Sequence, residues 1–287
     1  MMKREKWLDV AKGLAIILVV LGHCLNHFDN EILHRMCEII YLFHMPLFVL
    51  LSGYSFYWVT VHNSWFRNIT DNIAIYVIQS VVYILFNIAL QGFVATSNRY
   101  TARDLLTFPV VPVAHFWYIQ AIIIYYLIFF MYERFVKDIR LRRVLETVTV
   151  LIIFPINRLT DNETVTRICY HILFFAIGWF VHAVRAKYSR SASGSFLDFK
   201  ILSFLGVNCL WIYIFHPYAT AFVRAALTFL GIKNVYAGLL TMMIAGMTLP
   251  LVLMLLMQKT GCAWIVTRPV SKFPRSTCSD TFRSRDR

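Results

Sequence analysis

Residues 7–25 read WLDVAKGLAIILVVLGHCL, an apolar run long enough to cross a membrane as one α-helix. The run contains an acid, Asp9, a cation, Lys12, and a histidine, His23, near its far end. On a helix, Lys12 lies about 20° in azimuth and about 16 Å along the axis from His23, and Asp9 lies about 40° to the other side. Ionisable residues inside membrane segments are costly and mark functional positions. His23 is therefore the first candidate for a functional residue.

The composition identifies the broad class of protein. Of the 287 residues, 59% are hydrophobic and 15% are charged, and the 24 Phe and 15 Tyr suit lipid-facing and interfacial positions. The formal net charge of +13 is spread over short loops between apolar runs and over the C-terminal segment. That distribution is typical of membrane topology, so we expect membrane lipids as partners and no nucleic acid.

The apolar runs predict an all-α fold, a polytopic transmembrane helical bundle of about eight helices. We expect one transmembrane domain over residues 1–260 and a basic, disordered cytoplasmic tail over residues 261–287. The predicted helices lie at about Trp7–Leu25, Ile39–Val59, Ile73–Ala95, His115–Tyr132, Val144–Ile156, Ile168–Val184, Ile201–Val223 and Val235–Met257.

The loop charges predict the orientation of the chain. Residues 133–143 contain five Lys or Arg and residues 185–200 contain four, whereas residues 26–38 carry three acidic residues against Arg35 alone. Because positively charged loops stay in the cytoplasm, we expect a multi-pass protein with both termini cytoplasmic.

This orientation places several histidines at one depth. His23 would lie near the outer end of the first helix, His44 a few residues into the second, and His216 in the outer part of the seventh. We predict an outward-facing cavity lined by these three side chains. For His115 and His171, at predicted helix ends, interfacial anchoring is the favoured interpretation.

Three further residues are candidates for lining the site. Tyr213 lies three residues before His216, on the same helical face. Trp117 could stack on a ring of a ligand or anchor a helix at the interface. Ser52 could face the site, although with its neighbour Gly53 it also suits close helix packing. The six cysteines show no metal-ligand spacing, and we expect no metal.

Several sequence blocks carry a family resemblance. They are residues 7–23 of the first run, FHMPLF at 43–48, LSGY at 51–54, HFWYI at 115–119 and LGVNCLWIYIFHP at 205–217. With these blocks the chain resembles the acyltransferase-three family of membrane O-acyltransferases, and in particular its fucose 4-O-acetylase-like branch.

The resemblance implies transfer of an acyl group, usually acetyl, from cytoplasmic acetyl-CoA at a bacterial inner membrane. Acetyl-CoA would be a donor substrate, with no bound cofactor, and the acceptor a hydroxyl of an O-antigen, an exopolysaccharide or a lipid-linked glycan. His23 and Asp9 would be catalytic, with His23 acting as general base or as covalent acyl carrier. Lys12 and Arg67 would bind the donor, although Lys12 could instead extend to the headgroups.

The chain departs from the family pattern in two respects. Relatives usually carry an Arg-x-x-Arg motif after the Ser-Gly-Tyr block, of which only Arg67 is present. They also have about ten helices, compared with about eight predicted here. Two alternatives therefore stand beside the enzyme interpretation: a transporter or exporter of a glycan or lipid, and an inactive, shortened family member.

Overall fold

A computed structural model describes residues 5–61, 64–90, 99–188 and 199–267. The part of the chain in these ranges forms helices and turns and contains no strand, which confirms the all-α prediction. A 3₁₀ turn lies at Ala114–Phe116. The helices are α1 Lys6–Leu25, α2 Glu31–Val61, α3 Trp65–Ala89, α4 Asp104–Thr107, α5 Trp117–Phe135, α6 Ile139–Ile156, α7 Glu163–Tyr188, α8 Lys200–Val207, α9 Cys209–Phe229, α10 Val235–Lys259 and α11 Trp264–Thr267.

Six of the described helices are long and apolar enough to cross a membrane: α1, α2, α3, α5, α7 and α10. The pair α8 and α9, with a bend of 79° between them, counts as a seventh if the two helices form one broken span. The sequence predicted one straight helix here, but Asn208 ends α8 and begins α9. Its side-chain amide donates to the carbonyl of Phe204 at 2.9 Å, the type of local bond that competes with a continuous helix.

The span predicted at residues 144–156 is present as α6, in which a larger share of the residues is charged than in the candidate spans named above. Asp138 caps α6 by accepting hydrogen bonds from the amides of Arg140 and Leu141, both at 2.8 Å. The helix therefore starts five residues before the predicted position and includes several charged residues. Its four charged residues, Arg140, Arg142, Arg143 and Glu146, are more than a typical span carries, so length and composition identify six or seven candidate spans among the described residues.

The second helix also begins earlier than predicted. The Asn30 side chain accepts hydrogen bonds from the amides of Ile32 and Leu33, both at 3.1 Å, and α2 starts at Glu31. The sequence had placed these residues in a loop because they are polar. Asn30 is a good N-cap residue, which explains the two extra turns.

Two pairs of helices approach each other at backbone distance. A Cβ atom added to Gly13 of α1 would lie 1.9 Å from the carbonyl oxygen of Leu202, and one added to Gly206 of α8 would lie 1.8 Å from that of Asp9. These two glycines allow α1 and α8 to pack with no side chain between them. The contact fixes α1, and with it His23, against the segment that leads into α9.

The second close approach joins α2 and α7. A Cβ atom on Gly53 would lie 2.0 Å from the carbonyl oxygen of Phe175, and one on Gly178 would lie 2.0 Å from that of Leu50. The Ser-Gly-Tyr block therefore serves helix packing at Gly53. This contact positions α2, which carries His44.

The segment expected to form a disordered tail begins with ordered structure. The short helix α11 contacts α3, and its Val266 is fully buried. Burial of this apolar side chain explains why ordered structure continues past residue 260. The rest of the predicted tail, residues 268–287, lies outside the described residues.

The close approach of α1 and α8 predicts a specific sensitivity of stability. Replacing Gly13 with alanine should lower the free energy of unfolding by about 1–3 kcal/mol, because the new methyl group overlaps the Leu202 carbonyl. The matched control is Gly22→Ala on the same helix, where the nearest neighbour of the new Cβ is a side-chain methyl of Ile40 at 3.3 Å. Thermal unfolding of the purified proteins in detergent measures both changes, and equal changes would contradict the packing argument.

Candidate active site

The described part of the chain contains a cavity of about 590 Å³ at the His23 end of α1. Its walls come from α1, α2, α3, α5, α7 and α9 and from the turns beside them. Five histidines line it: His23, His27, His44, His115 and His171. The structure therefore places His115 and His171 in the same cavity as His23 and His44, rather than at separate interfacial positions.

His23 belongs to a group of three neighbouring imidazole rings. The centroid of its ring is 5.1 Å from that of His216 and 6.5 Å from that of His115, and the last two are 5.4 Å apart. His216 is fully buried directly behind the cavity wall. Among the described residues, these and other His, Cys, Asp and Glu side chains form no group arranged to hold a metal ion.

Hydrogen bonds to the backbone define the tautomers of three histidines. In each, Nδ1 faces the carbonyl oxygen four residues earlier, at 2.8 Å for His44 and Ile40, 2.7 Å for His171 and Arg167, and 2.9 Å for His216 and Ile212. A carbonyl oxygen only accepts, so Nδ1 carries the hydrogen and Nε2 carries a lone pair. In the described part of the chain, Nε2 of His216 is buried without a hydrogen-bond partner.

His23 differs from these three histidines. Its ring touches Tyr41, at a centroid distance of 6.1 Å, and the other two imidazoles, but it makes no hydrogen bond to any described residue. Its side chain is half-buried and lines the cavity. Both ring nitrogens are therefore available to a bound substrate, which a general base or a nucleophile requires.

The turn that carries His115 has an unusual backbone. Ala114 has a φ angle of 46°, in the left-handed region that residues other than glycine rarely adopt. Two tyrosines hold this turn: the Tyr100 hydroxyl accepts from the Ala114 amide at 2.9 Å, and the Tyr213 hydroxyl donates to the His115 carbonyl. Tyr213 thus lines the cavity, as does Trp117, whose ring packs 4.9 Å from that of His171. Strained backbone of this kind occurs often at functional sites.

Asp9 was predicted to be catalytic, and the structure places it away from the cavity. Asp9 is buried, but it lies fourteen residues before His23, about 21 Å away along α1. The sequence argument placed it at a similar azimuth and gave too little weight to this axial distance. Asp9 sits where α1 packs on α8 and does not reach the cavity.

Three other predicted site residues also lie away from the cavity. Lys12 donates a hydrogen bond to Ser55 Oγ at 3.0 Å, inside the bundle. Ser52 is not among the residues that line the cavity. Its Oγ is 2.6 Å from the Tyr118 hydroxyl and donates to a carbonyl of its own helix. Arg67 is exposed on the first turn of α3.

Sequence reasoning missed a basic group on the cavity wall. Arg224 of α9 lines the cavity, and its Nη1 atom lies 2.5 Å from Nδ1 of His27. Arg167 of α7 also lines the cavity and forms an ion pair with Glu163. Helical spacing could have indicated the first pair, because His27 is four residues after His23 and Arg224 is eight residues after His216.

The environment of His27 keeps its imidazole neutral. Burial and the nearby positive charge of Arg224 lower the pKa of His27 to about 4. At neutral pH this ring therefore accepts a hydrogen bond from the guanidinium and does not repel it. Arg224 keeps its full charge beside an uncharged partner.

Six or seven membrane-length helices surrounding a histidine-lined cavity define a polytopic membrane protein with a polar site inside its bundle. Comparison with known families agrees: the family model described as "Acyltransferase domain" matches residues 5–197, which include α1 to α7. The chain belongs to this family, the acyltransferase-three family.

Two curated relatives are similar to part of the chain. Nodulation protein NolL of Sinorhizobium fredii is 30% identical over 141 residues, which are 46% of this chain and 37% of that protein. Nodulation protein NolL of Mesorhizobium japonicum is 25% identical over 130 residues, which are 44% of this chain and 35% of that protein. The matches thus span just over a third of the length of each relative. No solved structure matches the chain.

The lowered pKa of His27 predicts a pH-dependent contribution to stability. Between pH 6.5 and about 4 the unfolded chain binds a proton at His27 that the folded chain excludes, so this contribution is lost as the pH falls through that window. Replacing His27 with glutamine should reduce the decline in stability between pH 7 and pH 5 by about 1 kcal/mol, after a discount for partial exposure.

Thermal unfolding at the two pH values, in one detergent and at one ionic strength, measures this difference. The matched variant is His34→Gln, which removes an imidazole from an exposed site beyond the same end of α1. An equal reduction in the two variants would show that the contact with Arg224 is not the cause.

Proposed function

We propose that this protein is a membrane-bound O-acyltransferase that transfers an acyl group from acyl-CoA to a carbohydrate hydroxyl. The acyl group that we expect is acetyl. The observation that carries the proposal is the His23 ring, which lines the cavity without a hydrogen bond to any described residue and lies 5.1 Å from the buried ring of His216. Membership of the acyltransferase-three family supports the reaction class. The partial similarity to two nodulation proteins is compatible with a cell-surface or lipid-linked carbohydrate as acceptor.

His23 has the properties needed to activate the acceptor. A sugar hydroxyl is a poor nucleophile, and an imidazole titrates close enough to neutral pH to accept its proton. In the proposed reaction, His23 takes that proton as the hydroxyl oxygen attacks the thioester carbonyl. The new C–O bond forms, the C–S bond breaks, and the proton passes from His23 to the departing CoA thiolate. The products are the O-acyl ester and free CoA.

A covalent route through His23 is the alternative for the same residue. In that route a ring nitrogen attacks the thioester carbonyl, CoA leaves, and the acyl group is then passed to the acceptor hydroxyl. The nearby Nε2 of His216 could take the hydroxyl proton in the second step, because it carries a lone pair and is buried behind His23.

The donor is proposed to approach from the opposite end of α1. Lys12 lies about 16 Å along the helix from His23, a distance that an extended CoA arm can bridge. The hydroxyl of Tyr54 donates to the Glu5 carboxylate at 2.8 Å, so the end of α2 lies beside the start of α1. Arg67, on the first turn of α3, follows shortly after α2 and therefore lies at the same end. Cations here would bind the donor phosphates.

The proposed orientation follows from the location of the donor. Acetyl-CoA is cytoplasmic, so the Lys12 end would face the cytoplasm and the histidine cavity would open toward the outer side. The loop charges favour the same arrangement, with both termini on the cytoplasmic side of a bacterial inner membrane.

Replacing His23 with alanine should abolish acyl transfer. A bacterial host without its own copy would express the wild type and the variant, and ester-linked acetyl on isolated surface glycans would be measured by mass spectrometry before and after mild alkali. Loss of a general base predicts at least about a hundredfold less alkali-labile acetyl. The control is His34→Ala at an exposed position, which should retain transfer. Wild-type transfer by His23→Ala, at equal protein level, would contradict the proposal.

Replacing Lys12 should weaken donor binding more than it slows transfer. Acetyl-CoA should raise the thermal unfolding midpoint of the wild type, because a ligand that binds only the folded state stabilises it. Lys12→Ala should require roughly tenfold more acetyl-CoA for the same shift, whereas Lys12→Arg keeps the positive charge and should remain close to wild type. No stabilisation of the wild type by acetyl-CoA would instead support a transporter.

A further inference from the structure

Arg224 is a charged cavity residue that the proposed transfer reaction does not use. Its side chain is half-buried, and the one described group to which it is hydrogen-bonded is the His27 ring, at 2.5 Å and 3.0 Å from Nη1. Its Nε atom is buried without a hydrogen-bond partner in the described part of the chain. A guanidinium has five N–H donors, and here most of them remain available to a ligand.

The charges around the cavity do not balance. Of the described residues that line it, Arg167, Arg224 and Glu163 carry a formal charge at neutral pH. Arg167 and Glu163 form an ion pair with each other and cancel. The contact of Arg224, His27, is neutral and supplies no negative charge. Arg224 is therefore left without a carboxylate partner among these lining residues. Removing a cation from water without a counter-ion is costly, so a ligand that supplies an anion would be bound favourably here.

Arg224 and Lys12 lie on opposite sides of His23. Lys12 is eleven residues before His23 on α1, whereas His27, the contact of Arg224, is four residues after it. Measured along the direction of α1, one positive site thus lies on each side of His23: Lys12 on α1 itself and Arg224 on α9. If the Lys12 side receives the donor phosphates, the Arg224 side meets the other substrate.

We propose that Arg224 binds an anionic group of the acceptor, so that the acceptor is an acidic glycan or a glycan on a phosphate-bearing lipid. This inference rests on the proposed function, and it identifies the chemical class of the acceptor. The planar guanidinium matches a carboxylate or phosphate through two parallel hydrogen bonds. His27 is a positioning residue, because it holds one end of the guanidinium while the other faces the cavity.

The aromatic surroundings fit an acceptor of this kind. The cavity wall includes Tyr83 and Tyr100, whose ring centroids are 5.9 Å apart, and Trp117 on another part of the wall. Aromatic rings provide flat apolar surfaces with polar edges, which suit the faces of a sugar ring. An anion on Arg224 would fix the register of the sugar and bring one of its hydroxyl groups to His23.

The test uses the full chain purified in detergent and pairs of probes that differ by one anionic group. D-glucuronate and D-glucose test a carboxylate on the sugar, and farnesyl phosphate and farnesol test a lipid phosphate. We expect one acidic probe, or both, to raise the thermal unfolding midpoint more than its neutral partner. Arg224→Gln should require roughly tenfold more of that probe for the same shift, and Arg224→Lys should fall between the two because it keeps the charge.

The matched control is Arg35→Gln. It removes an exposed arginine beyond the same end of α1 and should leave the response to the probes unchanged. The unfolding midpoint of each variant without a probe shows that the comparison is between folded proteins. If acidic and neutral probes act equally on the wild type, or if Arg224→Gln responds as the wild type does, the inference is overturned.

Acetyl-CoA, measured with the same proteins, separates the two proposals. Arg224→Gln should keep the response of the wild type to acetyl-CoA. If that response is lost, Arg224 serves the donor, and the inference about the acceptor is overturned although the acyltransferase proposal stands. If acetyl-CoA fails to stabilise the wild type while an acidic probe succeeds, the acyltransferase proposal fails and Arg224 remains an anion-binding residue.

Discussion

The backbone contact between α1 and α8 is the constraint on which the rest of the site depends. Gly13 and Gly206 bring the two helices together with no side chain between them. Because α8 bends into α9 at Asn208, this contact also determines where α9 runs beside α1. His23 on α1 and His216 on α9 therefore meet at 5.1 Å, although they are almost two hundred residues apart in sequence. The contact of α2 with α7 at Gly53 and Gly178 adds the opposite wall in the same way.

The cavity also shows how polar side chains are accommodated inside an apolar bundle. Three histidines each bond a carbonyl of their own helix through Nδ1, which leaves Nε2 with a lone pair. His23 lacks such a bond to any described residue, so both of its ring nitrogens are available. The bundle thus supports the tautomers around the site internally, and a substrate is needed to complete the hydrogen bonding of His23. This division between supporting and reacting histidines is the basis of the proposed chemistry.

The sequence predicted some parts of this arrangement and missed others, for identifiable reasons. The depth of His23 and His44 followed from helix lengths and loop charges, Trp117 from its position near a helix end, and Tyr213 from its spacing to His216. The family resemblance implied a catalytic role for Asp9, but about 21 Å along α1 separates Asp9 from His23. The break at Asn208 was missed because hydropathy does not register a side chain that ends a helix. The contact between Arg224 and His27 joins residues 197 positions apart, and only their helical spacing from His216 and His23 hinted at it.

The central claim is that an acyl thioester reaches His23 from the Lys12 end of α1. The most direct measurement is a cryo-electron microscopy structure of the full chain with a non-reactive acetyl-CoA analogue. The account predicts the acyl carbon beside the His23 ring and the phosphates of CoA near Lys12, with Arg224 still facing open cavity. An analogue whose phosphates lie on Arg224, or whose acyl group lies away from His23, would contradict it.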